Sequence, residues 1–126
     1  MIFAITSEGL EQSSLVSDTF GRAPFIIFYD LENKTFESLH NPYAKLLGAG
    51  IQTAQFIIEK NAGVVIANDI GLNPLRLLKS ANVEVYSCAK KSVLAVVKEF
   101  SEAKLSIINQ TVPHSSGTRI NDKRKI

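Results

Sequence analysis

The sequence predicts an α/β fold built on one mixed sheet of five strands. Five short apolar runs have strand character, and the segments between and after the later runs carry apolar residues at helical spacing. At 126 residues the chain has the length of one domain that can bury a core without disulfides or metal staples. We therefore predict a single domain over residues 1–110, followed by a basic tail at residues 111–126 that is expected to be flexible.

The first three strands are predicted at residues 2–5, 25–29 and 35–40. The first two are short runs of apolar residues, and the second is rich in β-branched and aromatic side chains, as buried strands are. A turn-like stretch at residues 30–34 separates the second from the third, so these two are predicted to pair as a hairpin. One strand of the sheet should therefore run against the others.

The two later strands are predicted at residues 64–67 and 83–86. The run at 64–67 is apolar on both faces, which is typical of a central parallel strand, whereas the other alternates like an edge strand. Helical segments connect and follow these strands. Because such crossovers are right-handed and lie on the sheet, the pattern predicts helices on both faces.

Three helices are predicted from their end signals. The first starts at Ile51 and stops at Gly63. The second takes Asn73 as its cap, with the following proline in the first helical position, and ends where Asn82 can adopt a left-handed conformation. Ser92 is predicted to cap the third.

Composition excludes several classes of protein. No apolar run approaches the roughly 18 residues of a membrane span, and the N-terminus lacks the basic region and long apolar stretch of a signal peptide. A lone Cys88 excludes an intramolecular disulfide and suits a reducing compartment. A net charge of +2 is weak evidence for nucleic acid. We therefore expect a cytoplasmic protein that binds neither membrane nor nucleic acid.

Four connecting segments are predicted to meet at one edge of the sheet. With the second strand antiparallel to the rest, residues 7–23, 40–50, 68–73 and 87–92 all emerge at the carboxyl ends of the parallel strands. Open α/β sheets bind ligands at this edge. The sequence therefore places its candidate site here.

Several stretches resemble the dinitrogenase iron-molybdenum cofactor biosynthesis family, of the nitrogenase accessory factor type. The resemblance covers about residues 1–105, and its most specific part is SDTFGRAP at residues 17–24. Further support comes from NPYA followed by GAGIQTAQFI, from GVVIANDIGLNPLRLLKSANVEVY and from SVLAVVKEF. The resemblance implies a three-layer, ribonuclease H-like α/β/α fold, which agrees with the predicted order of elements.

The resemblance also implies a function. Some members of this family bind iron-molybdenum cofactor or its iron-sulfur precursor and hold it for delivery, whereas others occur where no nitrogenase is evident. We therefore expect a non-catalytic protein that holds or carries an iron-sulfur or iron-molybdenum cluster, or another small anionic ligand. A protein partner for delivery is implied, and the chain is expected to be a monomer or a weak homodimer.

Seven residues at the predicted edge are candidates for ligand contact. Glycines let a backbone approach a ligand closely, a helix start presents N–H groups to an anion, and arginine offers a forked cation. The candidates are Gly21, Arg22, Gly48, Gly50, Asn68, Asp69 and Gly71.

These candidates also have structural interpretations. Asp18 and Arg22 could pair and hold their loop in shape, while Gly48 and Gly50 could form only a tight start to the helix. Gly71 could serve the turn before its helix, whereas Asp69 has no evident structural task. The sequence leaves both interpretations open.

Metal ligation is predicted from two residues. Iron-sulfur species prefer thiolate or imidazole ligands, so His40 and Cys88 are the candidates if they converge at the edge. Cys88 could equally be a small core residue and His40 a polar surface group. Members of the family that hold cofactor commonly place a histidine immediately before the glycine-bearing helix start. Leu47 stands there in this chain and cannot ligate iron.

Two other classes of function compete with a carrier. Ribonuclease H-like nucleases usually begin their metal-binding carboxylates with an aspartate on the first strand, and IFAIT contains none, so an enzyme is not expected. The alternative is a regulatory or scaffold module that acts through protein partners and has lost the cluster site. Deleting residues 113–126 should abolish partner binding in that case and leave ligand binding intact in the other.

Overall fold

The computed structural model describes residues 1–109 and 118–119, and these form an α/β fold. Three strands precede the first helix, after which helices and strands alternate. The strands are β1 (Ile2–Ser7), β2 (Phe25–Asp30), β3 (Thr35–His40), β4 (Val64–Ala67), β5 (Glu84–Ser87) and β6 (Thr118–Arg119). The helices are α1 (Ala49–Glu59), α2 (Leu72–Ser80) and α3 (Val93–Asn109).

One mixed sheet has the strand order β3-β2-β1-β4-β5-β6. β1, β4 and β5 are parallel, and β2 runs antiparallel to both β1 and β3. The predicted five strands and the single antiparallel member among them are thus confirmed. β6 is an addition: it pairs antiparallel with Tyr86 and Ser87 and lies within the segment expected to be a tail. The other tail residues lie outside the described residues.

The helices cover both faces of the sheet, as predicted. Strand β1 shows the division, because Ala4 contributes to the core beneath α1 and α2 while Phe3 and Ile5 contribute to the core beneath α3. All three side chains are fully buried. A strand buried on both faces has no polar alternation, which is why β1 and β4 read as continuous apolar runs.

The helix ends differ from the prediction in three places, of which the first is that α1 begins at Ala49 and not at Ile51. Asn61, with φ of 63°, takes the left-handed position after α1, so the stop signal lies two residues before Gly63. Gly71, not Asn73, occupies the N-cap of α2, which places Pro74 third in the helix. Proline is still tolerated there, because the N–H groups of the first turn have no partner within the helix.

The other two end signals are confirmed. Asn82 has φ of 63° and follows α2 in the left-handed conformation. The hydroxyl of Ser92 accepts a hydrogen bond of 3.2 Å from the N–H of Ala95 in the first turn of α3. Within residues 1–109, no helix is both long and apolar enough to cross a membrane.

Replacing Asn82 tests the left-handed turn after α2. Asn82→Ala should lower the free energy of unfolding by about 1 kcal/mol, because a Cβ without a local hydrogen-bonding group is disfavoured at positive φ. Asn82→Gly should leave it unchanged or raise it slightly. Urea denaturation of both variants checks this, and Asn82 is exposed, so packing changes do not complicate the comparison. Equal stability of the two variants would contradict the assignment.

Candidate functional site

The connecting segments meet at the carboxyl edge of the sheet, as the sequence predicts. The N–H of Phe20, in the loop after β1, donates a 2.8 Å hydrogen bond to the carbonyl of Asp69, in the loop after β4. Asn68 then donates a 2.9 Å hydrogen bond from its side-chain amide to the carbonyl of Cys88, after β5. Three neighbouring loops are therefore fastened to one another, two of them by a backbone hydrogen bond and the third by the side chain of Asn68.

Two of the predicted glycines form a close backbone contact at this edge. A Cβ added at Gly21 would lie 2.6 Å from both Cα and N of Gly50, in the first turn of α1. A Cβ added at Gly50 would in turn lie 3.1 Å from Cγ of Pro74, in the first turn of α2. The loop after β1 and the starts of α1 and α2 thus pack in direct succession, which side chains at Gly21 or Gly50 would disturb.

The starts of α1 and α2 lie at the same edge of the sheet. Gly48 is the N-cap of α1, with φ of 72°, and Gly71 is the N-cap of α2 in an extended conformation. Neither cap supplies a side-chain hydrogen bond, and neither helix has an acidic residue in its first turn. Each helix N-terminus carries about half a positive charge. The edge is therefore suited to an anion.

Sequence analysis missed a buried polar pair that holds this arrangement. The Asn41 side-chain amide donates to the carbonyl of Ala23 at 3.0 Å and to Thr53 Oγ1 at 3.0 Å, with a longer 3.4 Å bond to the carbonyl of Gly21. Asn41 and Thr53 are both buried. The signal that could have found Asn41 is the Asn-Pro dipeptide, since asparagine before proline commonly initiates a turn.

Arg22 and Asp18 do not pair with each other. Arg22 donates from Nη1 to the carbonyl of Ala44 at 3.1 Å and remains exposed. Asp18 forms a 3.1 Å ion pair with Lys90 at the surface, which contributes little to stability. Because Ala44 precedes α1 by a few residues, the guanidinium of Arg22 is held near the start of that helix.

His40 and Cys88 are not brought together. His40 ends β3 and Cys88 follows β5, and these strands are separated by four strand spacings, so about 19 Å of sheet lies between the two residues. The two residues cannot ligate the same ion within one chain. His40 is exposed and its ring packs on Phe25, with centroids 4.8 Å apart, beside a cavity of about 320 Å³ that Lys45 also lines.

Cys88 belongs to the core on the α3 side. Burial raises the pKa of its thiol to about 11, opposed by the charge of Lys91 and aided by that of Glu99. The side chain is only 5% exposed. At neutral pH it is a protonated thiol packed against apolar groups, which matches the structural interpretation of this residue.

The remaining donors at the edge are few. Asp69 has an exposed carboxylate near the start of α2. Thr6 Oγ1, on the face of β1 that packs beneath α1 and α2, is buried without a hydrogen-bond partner in the described residues. In the same part of the chain, no three histidine, cysteine or acidic side chains are grouped closely enough to hold a metal ion. These residues therefore do not form a complete set of protein ligands around a metal ion.

Known proteins with similar sequences and structures have the same fold as this chain. The chain matches the family model described as dinitrogenase iron-molybdenum cofactor over residues 1–103. It is 36% identical to a candidate NifB protein from Thermotoga, assigned to the DUF35 family, over 82% of this chain and 89% of that chain, with a TM-score of 0.72. It is 26% identical to the orange protein from Desulfovibrio gigas in its apo form, over 94% of this chain and 96% of that chain, with a TM-score of 0.78. No curated protein is significantly similar to the chain.

The fold and its edge define an α/β protein whose candidate site is built mainly from backbone groups. Since the family match spans residues 1–103 of 126, the chain belongs to the dinitrogenase iron-molybdenum cofactor family. The resemblance noted in the sequence is thereby confirmed.

Thr6 and Thr53 give a matched test of the buried polar groups. Both are fully buried, but only the hydroxyl of Thr53 is hydrogen-bonded, to Asn41 and to the carbonyl of Gly21. Thr53→Val should lower the free energy of unfolding by about 1–3 kcal/mol, because it leaves buried partners unsatisfied. Thr6→Val should leave it unchanged or raise it by about 1 kcal/mol.

Chemical denaturation of the two variants measures this difference. Valine is close to threonine in shape, so the comparison isolates the hydroxyl group. A Thr6→Val variant as destabilised as Thr53→Val would mean that the Thr6 hydroxyl has a partner after all.

Proposed function

We propose that this protein is a non-catalytic carrier that seats an anionic iron-sulfur or iron-molybdenum cluster, or a similar small anion, at the carboxyl edge of its sheet. The observation that carries the proposal is the contact between the first turns of α1 and α2, where Gly50 packs on Pro74. Two helix N-termini with no acidic residue in either first turn thus lie side by side at this edge. Their partial charges add in favour of an anion bound there.

The chemical groups at this edge can hold an anion through charge and hydrogen bonds. N–H groups at the two helix starts can donate to cluster sulfides or to other anionic atoms, and the exposed guanidinium of Arg22 adds a full positive charge nearby. The exposed carboxylate of Asp69 on the same side of the edge opposes an anion, and Thr6 Oγ1 is buried beneath the surface. His40 and Cys88 are proposed to act separately, because the sheet keeps them apart.

Family membership and the relatives support an accessory role connected with metal clusters. The family description refers to the dinitrogenase iron-molybdenum cofactor. We extend this to the cluster as cargo, to delivery through a protein partner, and to a chain that acts as a monomer or weak homodimer. The ribonuclease H-like classification, with its three layers, is proposed on the same basis.

A second candidate function is favoured by exposed leucines at the same edge. Leu47 is 91% exposed immediately before the α1 cap, and Leu46 and Leu72 are each nearly half exposed. Apolar side chains around a site of this kind suit a protein contact. A regulatory or scaffold module without a cluster is therefore the alternative to a carrier.

Anaerobic reconstitution with iron and sulfide tests the carrier function. The full chain should retain metal and show charge-transfer absorption, and Arg22→Gln should bind about tenfold more weakly, because a charge-assisted contact is lost. Lys79→Gln is the matched control, since Lys79 is an exposed cation in the last turn of α2, away from the edge. Bound metal after gel filtration is the measurement.

Two outcomes would remove the proposal. One is metal well below one cluster per chain in the wild type. The other is an equal loss in Arg22→Gln and Lys79→Gln, which would indicate only a general effect of net charge. His40→Ala and Cys88→Ala are measured separately in the same assay, because the structure separates the two residues.

Leu47→His separates the carrier from the module that has lost its cluster site. An imidazole before Gly48 would stand where cofactor-holding relatives commonly carry histidine, so we expect at least about tenfold tighter retention of the reconstituted cluster. The high exposure of Leu47 means that the change should not affect stability, which thermal unfolding verifies. Unchanged retention, with folding intact, favours the protein-binding module.

A further inference from the structure

The face of the sheet that carries α3 is covered unevenly. One helix, about 10 Å across with its side chains, can cover two or three strands spaced about 4.8 Å apart. α3 packs on β1 and shares a core with β4, so the outer strand β3 lies at the limit of the surface that it covers. Tyr29 and Phe36, on β2 and β3, therefore form the margin of this core, and Phe36 is only partly buried.

A cavity of about 350 Å³ lies at this margin, between α3 and the hairpin of β2 and β3. The rings of Tyr29 and Phe36 line it, with centroids 4.7 Å apart, and Leu94 and Val97 line it from the helix. Leu94 is 50% exposed. The volume lies at the small end of the range for ligand pockets, and the lining is predominantly apolar, as such pockets are.

The charged residues of the lining favour an anion. Lys34 and Lys98 are present with one acid, Glu102, which leaves a net charge of +1. Among the ion pairs of the described residues, neither lysine has a partner. Lys34 also has φ of 57°, a backbone conformation that glycine or asparagine adopts more readily than lysine does.

A buried hydroxyl in the same lining also favours a ligand with a hydrogen-bond acceptor. Ser101 lines the cavity, and its Oγ is buried without a hydrogen-bond partner in the described part of the chain. A hydroxyl in this state is unfavourable unless an acceptor reaches it. A ligand oxygen in the cavity would supply that acceptor after a rotation about χ1 of the serine.

We propose that this cavity binds a small apolar carboxylate. The hydrocarbon part lies against Tyr29 and Phe36, and the carboxylate lies within reach of Lys34, Lys98 and the hydroxyl of Ser101. The site is on the α3 face, whereas the proposed cluster seat is at the starts of α1 and α2, so the two proposals stand or fall separately.

Titration of the full chain with octanoate, followed by amide NMR shifts, tests the site. Octanoate should shift amides of Tyr29, Phe36 and residues 94–102, and 1-octanol, with the same hydrocarbon chain and no charge, should bind about fivefold more weakly. Lys34→Gln combined with Lys98→Gln should abolish that preference. Lys79→Gln, on α2 and outside the cavity, should retain it.

Ser101→Ala supplies a second measurement that does not depend on charge. It should weaken octanoate binding a few-fold and octanol binding less, because a neutral hydroxyl oxygen is a weaker acceptor than a carboxylate. Equal binding of octanoate and octanol, or shifts concentrated at the α1 and α2 starts, would overturn the proposal. So would shifts of Tyr29 and Phe36 that follow protein concentration without ligand, because a second copy of the chain would then occupy the groove.

Discussion

The backbone contact between Gly21 and Gly50 is the constraint on which the candidate site depends. An added Cβ at Gly21 would lie 2.6 Å from two backbone atoms of Gly50, a distance that real Cβ atoms essentially never show. Only glycine therefore lets the loop after β1 approach the first turn of α1 this closely. Asn41 and Thr53 then fasten the same loop through the carbonyls of Ala23 and Gly21. The position of α1 relative to the sheet edge follows from these contacts.

A site made of backbone donors has a particular relation to the side chains around it. The N–H groups at the starts of α1 and α2 are fixed by the fold, so exposed side chains near them can differ without removing the positive end of either helix. Leu47 illustrates this, since it is almost fully exposed beside the cap of α1 and takes no part in the packing beneath.

The sequence predicted most of the fold because the strands and helices rest on local patterns. Continuous apolar runs marked β1 and β4, and Ser92 and Asn82 marked the helix ends that the structure confirms. The cap of α2 was assigned to Asn73 because its side chain suits that role, yet Gly71 occupies the position without a side-chain bond. Local preference for a cap was overridden by the path of the loop after β4.

The candidate site was predicted less completely, since its contacts join residues far apart in the sequence. The glycines and Arg22 were singled out and do lie at the edge, but the packing of Gly21 on Gly50 has no local signal. His40 and Cys88 were candidate ligands on the condition that they converge, because both lie where strands end at one edge. Strand order, which single residues do not encode, places them four strands apart.

Strand β1 has a consequence for how the chain folds. Its pairing with β2 belongs to a meander of neighbouring segments, whereas its pairing with β4 joins Phe3 to Val64, residues 61 positions apart. Closing the longer loop takes more conformational entropy and lowers the folding rate. The hairpin can form early from local contacts, whereas the β1–β4 pairing has to wait until β1 meets a strand from the middle of the chain. A single strand thus links a part of the molecule with fast, local assembly to a part whose assembly is slow.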